Sequence, residues 1–142
     1  MVVVTVFLEK VSDLKDTDGA MNHPDPYVVF TVKKDNFGPF DKEFGKHTST
    51  KKQGTCNPEY GETFVFKDVP SMEKLTLHAK VWDQDIGLDD GLGHTSINLE
   101  KELTKHGEFK AFEEKLSWSG KGMIKKAVTG TPTIFLKIKY EE

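Results

Sequence analysis

Leu75-Thr76-Leu77-His78-Ala79-Lys80-Val81-Trp82-Asp83-Gln84-Asp85-Ile86-Gly87-Leu88-Asp89-Asp90-Gly91-Leu92-Gly93 carries a strand and an acidic cluster in one run. Leu75, Leu77, Ala79 and Val81 alternate with Thr76, His78, Lys80 and Trp82, the pattern of a half-buried strand. Asp83 falls on the same face as Val81, just past the apolar stripe. The carboxylates of Asp83, Asp85, Asp89 and Asp90 then follow at the strand end.

Working outward, the same grammar recurs. Residues 2–8 are rich in β-branched side chains, and residues 27–32 form a second such run with Pro26 able to stand at its start. Residues 48–50, 63–66, 93–99, 109–118 and 133–140 are further strand candidates, separated by Gly, Pro, Asn and Asp. The segment 98–105 reads as a helical turn or two, with Asn98 as its cap. About eight strands with such punctuation predict an all-β, eight-stranded antiparallel Greek-key β-sandwich. A length of 142 residues favours one domain over 1–142, large enough to bury a core without a staple.

A second acidic cluster follows the first strand: Asp16, Asp18 and Asp25, within Asp16-Thr17-Asp18-Gly19-Ala20-Met21-Asn22-His23-Pro24-Asp25-Pro26-Tyr27. If successive strands run antiparallel, the connections after strands one, three, five and seven share one end. Strand parity therefore brings the loops at 16–25, 54–61, 83–91 and 119–130 together, and with them both acidic clusters. Carboxylates ~4 Å apart repel by about 4 kcal/mol per pair at an effective dielectric of ~20, so a cation belongs among them. Hard oxygen donors suit Ca2+. An EF-hand does not fit, because from Asp83 the sixth position is Leu88 rather than Gly and the twelfth is His94 rather than Glu.

The motifs resemble those of a C2 domain, the calcium-dependent phospholipid-binding β-sandwich, along nearly the whole chain. Asp25-Pro26-Tyr27-Val28 is similar to the family's Asp-Pro-Tyr-Val after the first calcium loop. Asn57-Pro58-Glu59-Tyr60-Gly61-Glu62-Thr63-Phe64 is similar to its Asn-Pro-x-Trp-Asn-Glu-Thr-Phe. Val81-Trp82-Asp83-Gln84-Asp85 resembles Val-x-Asp-x-Asp before the third loop, and Asp90-Gly91-Leu92-Gly93 the Asp-x-x-Gly that closes it. One strand before the first loop and one closing the chain resemble the circularly permuted type II topology. The resemblance implies five aspartate ligands, Asp18, Asp25, Asp83, Asp85 and Asp90, with the backbone carbonyls of Thr17 and Gln84. Relative to the common family spacing, the first loop is one residue longer and the third one residue shorter. Asp16 or Asp89 can therefore replace a neighbour, and the number of ions stays open.

Other residues suit a lipid surface. Met21 crests the first loop, and Ile86 and Leu88 crest the third. Met123-Ile124-Lys125-Lys126 mixes apolar and basic side chains, as an anionic membrane surface requires. Some C2 domains bind phosphoinositides through strand lysines. Here the corresponding positions are read as Val29, Thr31, Thr48 and Thr50, which leaves that groove poorly equipped. The five histidines show no zinc spacing, Cys56 has no base partner evident in sequence, and Trp82 and Trp118 read as packing residues.

Composition narrows the rest. A net charge of −3 gives no bulk attraction to nucleic acid. The first residues lack the basic start and cleavage site of a signal peptide, and no apolar stretch approaches a membrane span. One cysteine excludes an internal disulfide framework and favours a reducing setting. The expectation is a non-enzymatic, cytoplasmic module recruited by calcium to anionic phospholipid membranes. The alternative is a protein-interaction adaptor of the same fold in which calcium is structural or absent.

Overall fold

The computed structural model describes residues 1–15, 23–35, 41–117 and 131–142. Among them, eight strands and one helical turn follow in the order β1 (Val2–Ser12), β2 (Pro26–Lys34), β3 (Lys42–Thr48), β4 (Glu59–Val69), β5 (Leu75–Asp83), β6 (Asp90–Asn98), α1 (Leu99–Glu102), β7 (Lys110–Lys115) and β8 (Thr133–Glu141). They form two four-stranded antiparallel sheets, ordered β4-β1-β8-β7 and β3-β2-β5-β6. The closing strand lies between β1 and β7, which is the type II arrangement.

The core is the set of inward faces. Val4, Val6, Leu8, Ile134, Leu136 and Ile138 from one sheet meet Val28, Phe30, Val32, Leu75, Leu77 and Val81 from the other, all buried. The alternation in residues 75–82 thus reports the inner face of a central strand.

Several elements differ from the sequence expectation: β4 runs Glu59–Val69 rather than 63–66, and β6 begins at Asp90 rather than at residue 93. The third strand is Lys42–Thr48, not 48–50. Its Lys42-Glu43-Phe44-Gly45-Lys46-His47 run has no β-branched residue and lies at a sheet edge, so pairing with β2 creates the strand rather than intrinsic propensity. Ser49 does a different job: its Oγ accepts from Val28 N at 2.8 Å and its own N–H donates to Val28 O at 2.8 Å. The first strand runs past residue 8 to Ser12, because the register with β8 slips between Leu8 and Lys10. This bulge flips the inward parity from Val2, Val4, Val6 and Leu8 to Val11. The seventh strand stops at Lys115, and Ser117 then bridges His94 across to the other sheet. Asn98 caps the helical turn as expected, its Oδ1 accepting from Lys101 N at 3.1 Å.

That crossing explains a motif glycine. A Cβ built on Gly93, at φ +156°, would stand 2.8 Å from Leu116 Cβ. Only glycine lets β6 approach the chain leaving β7 this closely.

Candidate functional site

The described parts of the connections after β1, β3 and β5 meet at one end of the sandwich, stitched by a relay of hydrogen bonds. Leu14 N donates to Cys56 O at 2.9 Å, and Asp13 N to Asn57 Oδ1 at 2.9 Å, joining the segment after β1 to that before β4. Thr55 N donates to Pro24 O at 2.9 Å, and Gly54 N to Asp25 Oδ1 at 2.7 Å. Asp25 N then donates to Asp83 Oδ1 at 2.8 Å, and Gln84 N returns to Asp25 O at 3.1 Å. Asn57, from the Asn-Pro motif, is thus a clamp between loops.

The other residues of that motif serve the same end. Pro58 is buried, and Tyr60 is buried with its hydroxyl donating to Pro26 O at 2.8 Å, which holds β4 to β2 across the sandwich. Burial pushes the Tyr60 phenol well above its usual range. Gly61 sits at φ +64°, a left-handed position that asparagine, the family residue there, also tolerates. Glu62 grips the chain after β3: Thr50 N donates to Oε1 at 3.0 Å, and Thr50 Oγ1 donates to Oε2.

Of the acidic residues, the structure joins Asp25 to Asp83, sets Asp83 opposite Asp90 and ties Asp85 to Asp89. Asp83, only 2 % exposed, ends β5 on its inward face, where Pro26 and Asp90 flank it in register. Beyond it the third loop folds on its own carboxylates. Asp85 N donates to Asp89 Oδ1 at 3.1 Å, Ile86 N to Asp85 Oδ1 at 2.8 Å, and the Tyr27 hydroxyl to Asp89 Oδ2. These bonds hold the Asp89 carboxyl below its ordinary range, with Tyr27 the larger cause. Burial and then Asp89 push the Tyr27 phenol up to about 12. Between Asp85 and Asp89 the crest turns at Gly87, φ +103°, and throws Ile86 and Leu88 outward at 102 % and 88 % exposure.

The donor set is oxygen throughout and carboxylate in the main, which fits a hard divalent cation. Among the described residues, no three His, Cys, Asp or Glu side chains converge as a ready cation cage. One oxygen each of Asp25, Asp83, Asp85 and Asp89 accepts from a neighbouring amide instead. Asp16, Thr17, Asp18 and Met21 lie outside the described residues, as do Trp118, Met123, Ile124, Lys125 and Lys126.

Two features escaped the sequence reading. The observed β3 pairs Thr31 with Lys46 and Val29 with Thr48, and Thr50 lies beyond the strand. On the far side, Val29 pairs with Lys80 and Thr31 with His78. The outer face of this sheet therefore carries Lys46 and Lys80, and Lys80 Nζ lies 3.9 Å from the Trp82 ring centroid. That face is better furnished with cations than the sequence suggested, and the half-buried Trp82 supports one of them. Cys56 also has a neighbour: its Sγ is 3.7 Å from His23 Nδ1. Neither pairing was accessible without the register of β3 and the path of the loops.

No helix of the described residues is long and apolar enough to cross a membrane. A family model described as the C2 domain matches residues 2–114. A C2 domain of plant extended synaptotagmin 1 superposes with a TM-score of 0.76 at 22 % identity, covering 98 % of this chain and 93 % of that one. Human GIVD cytosolic phospholipase A2, in complex with methyl gamma-linolenyl fluorophosphonate, aligns with a TM-score of 0.73 at 18 % identity. There 99 % of this chain covers 17 % of the phospholipase, so the likeness concerns a small part of that enzyme. A pair of C2 domains from extended synaptotagmin 2, calcium bound, aligns at 0.70 and 19 % identity, over 98 % of this chain and 42 % of that one. At these identities the structures establish the fold. With the family model spanning most of the sequence, the motifs in order and the type II sandwich around them, the chain belongs to the C2 domain family.

Proposed function

We propose that this C2 domain is a calcium-triggered module for anionic phospholipid surfaces. The observation that carries the reading is the third loop: two exposed apolar side chains, Ile86 and Leu88, crest it between Asp85 and Asp89. Isoleucine and leucine at such exposure are unfavourable in water and have no packing role in the sandwich. Next to a carboxylate cluster they are useless at an anionic surface until the charge is cancelled.

Asp25, Asp83, Asp85 and Asp90, with Asp18 and the carbonyls of Thr17 and Gln84, would hold the ion. Bound Ca2+ supplies positive charge and open coordination positions for lipid phosphate oxygens. The chain's own contribution is preorganisation: the bonds from Asp25 N and Gly54 N fix two of the carboxylates before any ion arrives. Repulsion between the acidic tip and anionic headgroups keeps the calcium-free protein in solution. Once it is neutralised, Ile86 and Leu88 enter the interface, each buried methylene adding about 0.8 kcal/mol. Lys125 and Lys126, and Met21, Met123 and Ile124, belong to the same surface in this reading. The calcium-bound extended synaptotagmin 2 domains, alike in fold, support the choice of ion. The domain is a binding module rather than a catalyst.

Sedimentation with phosphatidylserine-containing liposomes tests the proposal. Pelleting with Ca2+ and not with EGTA is the expected result. No pelleting with any headgroup would reject it in favour of a protein-binding adaptor.

A further inference from the structure

The third loop holds four aspartates, and they are not equivalent. Asp83 lies inside the sandwich end and Asp90 faces it across the β5–β6 pair. Asp89 accepts on both carboxylate oxygens: Oδ1 accepts the Asp85 amide across the crest, and Oδ2 accepts the Tyr27 hydroxyl from β2. Asp85 in turn accepts the amide of Ile86. Tyr27 is not part of the loop. It sits on a central strand, opposite Trp82 and half-buried, so it gives the loop an anchor on the rigid sheet.

We propose that Asp89 is a positioning residue rather than a metal ligand, and that Tyr27 and Asp89 together form a brace that holds the backbone of the shortened third loop at Asp85. The inference rests on the calcium reading above but names a part within it. A three-residue crest around a glycine has little stiffness of its own. Closing it through one carboxylate, tied to a phenol on β2, fixes both the backbone at Asp85 and the outward aim of Ile86 and Leu88.

The test uses Asp89→Ala, Tyr27→Phe, their double variant and Asp90→Asn. In EGTA, amide hydrogen exchange at Asp85 reads the brace without any ion. Asp89→Ala deletes the acceptor and should speed exchange there by about tenfold, and Tyr27→Phe by about threefold, the range for one lost hydrogen bond. With CaCl2 in a calorimeter, both single variants should bind about three- to tenfold more weakly with the ion count unchanged. The double variant should be no weaker than Asp89→Ala, since the two groups act as a unit. Asp90→Asn, which removes a ligand, should lose more affinity than either or lose an ion. Cooperative melting in EGTA verifies each fold, and if Tyr27→Phe melts without cooperativity Asp89→Ala carries the same two readouts.

An unmoved Asp85 amide in both variants overturns the brace. So does a lost ion in Asp89→Ala, or losses in the two single variants that add. Absence of calcium heat in the unmodified protein would defeat the calcium reading instead, while the exchange result would still decide whether the brace exists.

Discussion

Asp25 and Asp83, fifty-eight residues apart, are joined by a bond from the Asp25 amide to Asp83 Oδ1 at 2.8 Å. A buried carboxylate thus completes the backbone of another loop before it can serve any ion. This double duty predicts a split between two substitutions. Asp83→Asn keeps an acceptor oxygen and should leave calcium-free stability within about 1 kcal/mol of the parent. Asp83→Ala orphans the Asp25 amide and should cost about 1–3 kcal/mol, read by urea unfolding in EGTA. Equal stability of the two would mean the bond contributes nothing.

The crest of the third loop makes a separate prediction. Leu88 is 88 % exposed, so Leu88→Ala removes no core contact and should change unfolding free energy by less than about 0.5 kcal/mol. Calcium affinity in solution should hold. Retention on phosphatidylserine vesicles should fall several-fold, since the leucine's buried methylenes are gone. Parallel loss of both affinities would place Leu88 in support of the loop rather than in lipid.

Gly93 tests the fold itself. With Leu116 Cβ 2.8 Å from where a side chain would begin, Gly93→Ala must push β6 off the chain after β7. A loss of about 1–3 kcal/mol is expected from overpacking of this kind. Gly54→Ala makes a useful contrast, because its Cβ meets nothing within 4 Å although its φ of +58° adds backbone strain. Gly93→Ala with parental stability would contradict the close approach.

His78 sets the acid response. Burial, reinforced by the nearby Lys33, holds its imidazole below the ordinary value of 6.5, while Asp35 pulls weakly the other way. Below pH 6.5 the unfolded chain therefore binds a proton that the native state resists, and stability present above 6.5 is lost as the pH falls. The melting temperature should drop between about pH 7 and about pH 5 (a window around the usual histidine range). His78→Gln, which keeps a partner for Ser96 Oγ, should flatten that slope. An identical slope in the variant would assign the effect elsewhere.

How much of this was legible follows from where each signal resides. The apolar alternation of β5 and the Asp-rich runs are local, and strand parity predicted the meeting of Asp25 with Asp83, while Asp16 and Asp18 lie outside the described residues. The parity survived a misplaced third strand because the count stayed at eight. Lys42 to His47 gave no β signal, since an edge strand takes its structure from its partner. The bulge at Glu9 hid the extent of β1 by flipping its parity. The Tyr27–Asp89 contact and the placing of Lys46 and Lys80 on one face depend on register, which no single stretch encodes.

The central claim is that distant carboxylates at this end capture Ca2+. Isothermal titration of CaCl2 into the unmodified protein and into an Asp83→Asn/Asp85→Asn double variant tests it most directly. Saturable heat is predicted for the first and none for the second, with both folded in EGTA and only the first stabilised by calcium, by about 2.7 kcal/mol at a hundredfold excess over its Kd. No heat from the unmodified protein at millimolar calcium, or undiminished binding by the double variant, would contradict it.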